Sequence, residues 1–429
     1  MVSLSRPLEI NGACCLNNNA RVTLACFLAY FVMSGMLSPI GIILPPLAES
    51  LALPVTEVAP LFSWLTMGIL LGSGLALVAF ELFGIRLWML LLYLAIALSL
   101  LALRLSGDLW VLRLALGAVG TCCGIGLAAA ASTIAMSYTE DRRASMLVIT
   151  DGSFSVAGIL ISSLALMFVA QNMHWSSAYL AVAAIAVLLV LLSATSRFPV
   201  ASAMEAVPGE RAGAWPLPVW LCVVALFLYT LGQYSLLWWL PVHLETTLGA
   251  ARDEAGVVVA RFWTGMFIAQ VLVAWWVLRI GARRLVLLSV SATFFGSLPL
   301  WLLTDLPLLP WLALLWGIAN LGLLKIVIAF ATLSVRRPTP RLVAALLFGA
   351  TSGTAVSPVV TSAIVEAADV RSVLQFGSLC YLLLALLVWF AWRLGRDAVA
   401  EEPQPQRVSC EARSDAQGAA ESGATIHAK

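Results

Sequence analysis

Four ionisable residues interrupt apolar stretches that are otherwise long enough to cross a lipid bilayer: Arg113, Asp151, Arg261 and Lys325. A charged side chain in the middle of such a stretch costs about 3 kcal/mol on insertion scales. Groups that persist there bind protons, ions or charged solutes, or pair with one another. We therefore expect functional residues among these four.

Lys325 is conspicuous because the chain has only one other lysine, Lys429, and uses arginine elsewhere. Lysine is a compact cation whose protonation responds readily to burial, unlike arginine. At 1.5 Å per residue, Asp151 and Lys325 lie about 9 Å and about 14 Å from the predicted inner ends of their helices. We predict that they pair as an inner gate and take part in proton coupling. At about 4 Å, such a pair is worth roughly 4 kcal/mol before desolvation. The alternative is that each has a separate neighbour.

A second group of polar residues is predicted to bind a solute. Three buried cations against one anion favour a negatively charged solute, because a carboxylate binds arginine in a bidentate manner. The alternatives are that Arg113 extends to the lipid headgroups and that Arg261 pairs with Glu49, Glu57 or Glu254. The predicted solute-binding residues are Arg261, Gln233, Tyr234, Tyr229, Asn320, Tyr30 and Arg113, and the neutral ones among them are equally suited to joining helices.

The composition explains where these residues must lie. Of the 429 residues, 62% are hydrophobic and 11% are charged, and the mean hydropathy is +0.99. A soluble core does not need so much apolar surface, so we predict an all-α polytopic membrane protein. A net charge of +2 indicates no nucleic-acid partner, and the spacing of cysteine and histidine suggests no metal and no cofactor.

Apolar runs bounded by charged and turn residues predict twelve transmembrane helices. The predicted spans are 22–46, 58–80, 86–104, 109–137, 145–170, 175–195, 215–243, 255–279, 284–304, 308–334, 342–366 and 372–394. Most arginines then fall on one side, and the outer loops keep only Arg104, Arg252 and Arg371. By the positive-inside rule, both termini are cytoplasmic in the bacterial inner membrane.

An internal repeat with a period near 197 residues divides the chain into two pseudo-symmetric halves. Leu44-Pro45 near the end of the first span corresponds to Leu240-Pro241 in the seventh, and Glu49 corresponds to Glu245. We predict a cytoplasmic N-terminal segment, two six-helix halves, a cytoplasmic linker and a disordered cytoplasmic tail, with boundaries at 1–20, 21–195, 196–214, 215–395 and 396–429.

Two six-helix halves joined by a cytoplasmic linker resemble the major facilitator superfamily over about residues 20–395. Arg113 and Gly117 in span 4 are similar to the family's motif there, and Gly281 with its basic neighbours resembles the loop motif after span 8. Within the superfamily, the chain resembles the TsgA-type facilitators. The stretches that carry this resemblance are 150–158, 231–233, 239–241, 253–256 and 261–263.

The resemblance implies a major facilitator fold, with the solute site between the halves and an inner gate built from spans 4, 5, 10 and 11. The acids that sugar–proton symporters carry in spans 1 and 4 are missing. We therefore expect a monomeric secondary active transporter, not an enzyme, that couples protons to a small polar solute of anionic or carboxylate-bearing character. We expect efflux of a metabolite or siderophore. The alternatives are a proton symporter that imports a sugar or organic acid, and a membrane sensor that has lost transport.

Overall fold

The computed structural model describes residues 9–82, 84–138, 140–199, 215–320, 322–335 and 340–400. Every regular element within these ranges is an α-helix. This follows from the composition, because a segment in lipid must satisfy its backbone hydrogen bonds internally, and a helix does so within a single segment.

Within the described ranges, twelve helical stretches are long and apolar enough to cross a membrane, so the predicted number is confirmed, and the shorter apolar helix Ile40–Leu51 continues the first of them. Span 1 comprises α1 and α2, span 2 comprises α3 and α4, and spans 3 to 8 are α5 to α10. Span 9 comprises α11 and α12, span 10 comprises α13 and α14, and spans 11 and 12 are α15 and α16. The helices are α1 Glu9–Leu37, α2 Ile40–Leu51, α3 Val55–Val58, α4 Leu61–Leu82, α5 Ile85–Leu105, α6 Leu109–Ser137, α7 Glu140–Ala170, α8 Ser177–Thr195, α9 Leu217–Thr247, α10 Arg252–Ile280, α11 Ala282–Ser297, α12 Pro299–Leu302, α13 Leu309–Ala319, α14 Leu323–Thr332, α15 Pro340–Ala367 and α16 Val370–Ala400.

Among the described helices, four spans are divided in two: spans 2 and 9 each include a separate helix of four residues at one end, and spans 1 and 10 are interrupted further in. Span 1 breaks between Leu37 and Ile40, next to Pro39, which has no backbone N–H to continue the helix. Span 10 breaks between Ala319 and Leu323, where Gly322 adopts a left-handed conformation with φ of 62°. Such a conformation favours glycine because a side chain would be strained there.

The first and last helices extend beyond the predicted spans. Helix α1 begins at Glu9, so the described part of the predicted N-terminal segment is helical and continuous with the first span. Helix α16 continues to Ala400, so the first residues of the predicted disordered tail are helical. Once nucleated, a helix adds polar residues at little cost, which explains both extensions. Most of the predicted linker and the rest of the tail lie outside the described residues.

The two halves repeat the same packing. In the first half, spans 1 and 3 pack on span 6, and span 2 packs on span 4. In the second half, spans 7 and 9 pack on span 12, and span 8 packs on span 10. The halves meet where span 5 packs on span 8, span 2 on span 11, and span 1 on span 7. The first two of these contacts are related by the repeat, as expected for a pseudo-two-fold arrangement.

Glycines allow the backbones of spans 2 and 4 to approach closely. A Cβ atom at Gly72 would collide with the backbone oxygen of Thr121, and the equivalent crossing of spans 8 and 10 uses Gly265 against Leu314. Small residues at helix crossings are a common device for packing helices within membranes.

We expect Gly72→Ala to lower the thermal unfolding midpoint of the detergent-purified protein, because overpacking against a fixed backbone costs about 1–3 kcal/mol. Gly74→Ala is the matched control, since a Cβ atom there meets no atom within 4 Å and alanine is the better helix former by about 1 kcal/mol. Tryptophan fluorescence during heating measures both. Equal midpoints for the two variants would contradict this account of the crossing.

The structure is closed at one end of the bundle. We call the end that holds Glu49 the outer end and the opposite end the inner end, following the predicted orientation. Every residue from 32 to 45 in span 1 and from 229 to 244 in span 7 is buried, and consecutive helical residues point in all directions. Both central spans are therefore enclosed on all sides towards the outer end. Nearer the inner end, exposed side chains such as Leu24 and Trp220 leave faces of the same spans uncovered.

Candidate functional site

Asp151 and Lys325 form an ion pair that joins the two halves. The Oδ1 atom of Asp151 in span 5 lies 3.0 Å from the Nζ atom of Lys325 in span 10. The side chain of Asp151 is 22% exposed and that of Lys325 is 48% exposed. The two residues predicted to pair are thus in contact, and both side chains are partly exposed. Their role as an inner gate stays a prediction.

The break in span 10 sets the position of Lys325. Its backbone N–H donates to the carbonyl oxygen of Gly322, so Lys325 lies in the first turn of α14. The amino end of a helix disfavours a cation because the helix dipole is positive there. The carboxylate of Asp151 offsets two things: the unfavourable interaction of Lys325 with the helix dipole, and the positive charge of Lys325 itself.

Spans 1 and 7 carry two predicted solute ligands, Tyr30 and Tyr229. Span 1 meets span 5 close to Asp151, because Ser153, two positions from Asp151, donates to the carbonyl oxygen of Phe27, three positions before Tyr30, at 3.1 Å. Tyr229 is buried, and its ring packs on that of Tyr381 in the same half at a centroid distance of 6.4 Å. Tyr30 therefore lies on the part of span 1 that packs beside Asp151, and Tyr229 lies in the core of the second half.

The remaining neutral candidates are buried in the second half. Tyr234 packs on the ring of Trp238 at 4.8 Å, and Gln233 is 4% exposed. Asn320 donates from its amide nitrogen to the carbonyl oxygen of Trp316, 3.0 Å away. Its Oδ1 atom is buried without a hydrogen-bond partner among the described residues. An amide oxygen of this kind is available to a hydrogen-bond donor when the surrounding helices move.

The structure does not bring Arg113 and Arg261 to the ion pair. The guanidinium of Arg113 lies 4.8 Å from the ring centroid of Trp110, and that of Arg261 lies 5.0 Å from that of Trp311. Trp311 is the third residue of span 10 and Lys325 lies fourteen positions further on, or about 21 Å along the helix axis. Both arginines are therefore near the outer end, far from Asp151.

The prediction that Arg261 faces the space between the halves is not supported by its direction. Trp263 and Gln270 mark the face of span 8 that packs on span 5: Gln270 accepts a hydrogen bond from Ser155 at 3.1 Å, and the ring of Trp263 covers Gly158. Successive helical residues are 100° apart, so Arg261, two positions from Trp263, points about 160° away from that face. Two of the three cations that were predicted to give an excess of positive charge around the solute therefore lie away from the ion pair of Asp151 and Lys325.

An ion-pair network at the outer end was not predicted. Arg252, at the start of span 8, donates to Glu245 in the same half and to Glu49 in the other half, with Nε–Oε1 and Nη1–Oε2 distances of 3.0 Å each. Glu49 and Glu245 are the equivalent acids of the repeat. That equivalence is the available sequence signal, but it does not identify Arg252 as the partner of the two acids.

Hydrogen bonds from Arg252 hold the pKa of Glu49 below its usual value. The stabilisation is therefore complete above the ordinary glutamate pKa of about 4.3 and is lost as the pH falls through the lower folded-state value. We expect Glu49→Gln to unfold at a lower temperature than the wild type at pH 7, by the equivalent of at most about 1 kcal/mol because the pair is exposed. The difference should disappear towards pH 3. Glu57→Gln, which removes an exposed acid nearby, is the control. A difference that persists at pH 3 would contradict the prediction.

The arrangement of two packed halves joined by the ion pairs Asp151–Lys325 and Glu49–Arg252 agrees with a family-model comparison. The model described as Major Facilitator Superfamily matches residues 26–245 and 222–421. The chain belongs to the major facilitator superfamily.

Curated relatives place the chain among the TsgA-type facilitators. A protein TsgA homolog of Erwinia tasmaniensis is 27% identical over 379 residues, which cover 87% of this chain and 95% of the relative. One from Serratia proteamaculans is 26% identical and covers 87% and 96%. Among solved structures, a crystal structure of the nucleoside transporter NupG matches with a TM-score of 0.68 at 12% identity, covering 88% of this chain and 99% of that one. This last likeness shows the fold alone.

These comparisons confirm the predicted fold and family. The major facilitator chain is an integral membrane protein and a secondary transporter of a small-molecule solute. Among the described residues, no group of three or more histidine, cysteine or acidic side chains is arranged to hold a metal ion.

Proposed function

We propose that this major facilitator is a proton-coupled symporter of a small organic anion in the bacterial inner membrane, with both termini in the cytoplasm. Asp151 is the proton-binding group, and Lys325 binds the anionic group of the solute once Asp151 is protonated. The observation that carries the proposal is the ion pair between Asp151 and Lys325, which joins the halves within the membrane and is partly exposed.

The exchange of partners at Lys325 is the central step. A proton that binds the carboxylate of Asp151 removes its negative charge and ends the charge-assisted hydrogen bond to the ammonium group. Lys325 is then free to bind a solute carboxylate. After the solute and the proton leave on the other side of the membrane, Asp151 is ionised again and re-forms the pair.

This exchange favours symport over antiport. An anion close to Asp151 favours its protonated form, and protonation in turn favours the binding of the anion at Lys325. Because each promotes the binding of the other, both cross the membrane together. The inward proton gradient would then drive uptake. Import by a proton symporter is one of the alternatives that the sequence left open beside efflux. Efflux by antiport instead requires that the solute and the proton exclude each other.

The neutral polar groups supply the rest of the solute site. We propose that the hydroxyl groups of Tyr30 and Tyr229, with Gln233, Tyr234 and Asn320, bind the uncharged part of the solute as the helices rearrange. Tyr30 lies on the part of span 1 that packs on span 5 beside Asp151. In this proposal Arg113 and Arg261 do not contact the solute, because they lie near the outer end.

Proton flux into liposomes tests the proposal. The purified protein is reconstituted with a pH-sensitive dye inside, and lactate, succinate, citrate, glucuronate, uridine or glucose is added outside. Protein-free vesicles correct for passive diffusion of weak acids. We expect one of the organic anions to acidify the interior, and we expect Asp151→Asn to abolish this signal. Asp305→Asn, which removes an exposed loop carboxylate, should leave it intact.

Each other outcome has a defined meaning. Alkalinisation of the interior during solute entry would indicate antiport and would support efflux. Uptake of a labelled solute without any pH change, or an unchanged proton signal in Asp151→Asn, would refute proton coupling through this residue. Transport of uridine or glucose alone would refute the anionic class of solute.

A further inference from the structure

The guanidinium group of Arg261 has no acidic partner among the residues that the structure describes. It forms no ion pair and no hydrogen bond with these residues, and it lies over the face of Trp311, 5.0 Å from the ring centroid. Arginine carries five N–H donors and remains charged under all ordinary conditions. Within a membrane such donors need an acceptor, and none comes from the described part of this chain.

The surroundings of Arg261 are exposed and apolar. It points away from the interface with span 5. Trp311, which it covers, is 54% exposed. Ile268, two turns further along span 8, and Leu315, one turn beyond Trp311, are also exposed. Since the outer end is closed between the halves, this strip of apolar side chains faces lipid.

A cavity of about 480 Å³ lies beside this strip at the outer end of the second half. It is lined by apolar residues of spans 7, 8 and 10, including Leu244, Val257 and Pro310, with one acidic residue, Glu254. Val257 is one turn from Arg261, and Pro310 is adjacent to Trp311. The cavity therefore adjoins the arginine–tryptophan pair.

Glu254 and Arg261 present opposite charges on one side of span 8. They are seven positions apart, which is nearly two helical turns and about 10.5 Å along the axis. The flexible side chain of Arg261 reaches towards the outer end, where it meets the third residue of span 10. This shortens the separation of the two charged groups and brings both to the level of the lipid headgroups.

We propose that this site binds a phospholipid with a primary ammonium headgroup, namely phosphatidylethanolamine. The phosphate accepts hydrogen bonds from Arg261, the ammonium group donates to Glu254, and an apolar part of the lipid packs against Trp311 and the cavity. The charge complementarity supports this occupant. The protein offers the cation Arg261 and, nearer the outer surface, the anion Glu254. The headgroup carries an anionic phosphate and, nearer the outer surface, a cationic ammonium group.

The first half provides an internal comparison. Arg113 also lies over a tryptophan near the outer end, but the nearby acid, Asp108, uses its carboxylate to accept the backbone N–H groups of Trp110 and Val111. It caps the start of span 4 and is less available to an ammonium group. The selective site is therefore confined to the second half.

Native mass spectrometry of the delipidated, detergent-purified protein tests the proposal. Dioleoyl-phosphatidylethanolamine, dioleoyl-phosphatidylcholine and dioleoylglycerol are titrated in turn. We expect the first to bind best, the second more weakly, and the third, which lacks a phosphate, not to be retained. Arg261→Gln should weaken binding of phosphatidylethanolamine about tenfold, as expected for the loss of a charge-assisted contact.

Matched variants separate the two contacts. Glu254→Gln should remove the preference for phosphatidylethanolamine over phosphatidylcholine while leaving binding of the latter unchanged. Arg261→Lys, which keeps the charge but not the bidentate geometry, should bind with intermediate strength. Arg104→Gln, at an exposed arginine of the outer end, is the control. Equal lipid binding by the wild type and Arg261→Gln, or equal retention of dioleoylglycerol, would overturn the proposal.

Discussion

Exchanging the charges of Asp151 and Lys325 should restore transport that either single reversal abolishes. Asp151→Lys places two cations across the 3.0 Å contact, and Lys325→Asp places two carboxylates there. An unpaired buried charge costs about 3–5 kcal/mol, and partial exposure of both side chains reduces this cost. We still expect each single reversal to lower the initial rate of solute uptake about tenfold or more, because about 1.4 kcal/mol corresponds to a factor of ten.

The double variant re-creates an ion pair with its direction reversed. We expect it to recover a substantial part of the uptake rate and to retain its dependence on pH, because a carboxylate still lies opposite an ammonium group. Asp305→Lys, a reversal at an exposed loop residue, controls for the change in net charge. If both single reversals are inactive and the double variant is no better than either, the contact is not a functional pair.

A double variant that accumulates in the membrane normally but transports without proton coupling would separate the two roles of the pair. In that case the contact would join the halves, and another group would carry the proton. Tyr30 would then be the next residue to replace, because span 1 contacts span 5 close to both residues, where Ser153 donates to the carbonyl oxygen of Phe27.

The contact between Asp151 and Lys325 was predictable from the sequence because it depends on how deep in the membrane each residue lies. A lone acid and a lone lysine in apolar spans have few partners, and counting residues from the ends of the spans placed them at similar levels in opposite halves. The number of spans was predictable for the same reason: length and hydropathy alone determine which segments cross a bilayer.

The direction of a side chain around its helix was harder to predict. Arg261 and Trp263 are only two positions apart, yet one faces away from the first half and the other packs on Gly158 of span 5. In a soluble helix, the polar and apolar faces reveal this direction. In a span that is apolar on both its lipid-facing and its protein-facing sides, the pattern is absent, so the partners of Arg261 could not be inferred.

The breaks in spans 1 and 10 had local signals that hydropathy does not register. Pro39 and Gly322 each mark a break, but both lie within runs that are apolar enough to be interpreted as continuous helices. The break in span 10 has a functional consequence, because it sets Lys325 at the start of a short helix. Movement of α14 would change the distance to Asp151 without moving the whole of span 10.

Spans 1 and 7 approach each other closely at Gly41, immediately after the break in span 1. A Cβ atom there would lie 2.7 Å from the carbonyl oxygen of Trp238 and 2.9 Å from that of Leu237. The indole N–H of Trp238 donates to the carbonyl oxygen of Leu37 at 3.1 Å, so a side chain of the second half is bound to the backbone of the first half at this level. A backbone cannot rotate away from an added side chain as a flexible side chain can.

Gly41→Leu should therefore prevent closure of the outer end and hold the protein in a conformation open on that side. Overpacking costs about 1–3 kcal/mol, which changes a two-state equilibrium by about 5–150-fold.

Spin labels at the exposed residues Ser50 and Thr247, one in each half, report the separation of the outer ends by pulsed electron resonance. We expect Gly41→Leu to populate longer distances and to slow transport, whereas Gly74→Leu, which adds a side chain in open space, should match the wild type. The same distance distribution in all three proteins would mean that the close approach at Gly41 does not control the outer gate, and that the network of Arg252 with Glu49 and Glu245 must be tested in its place.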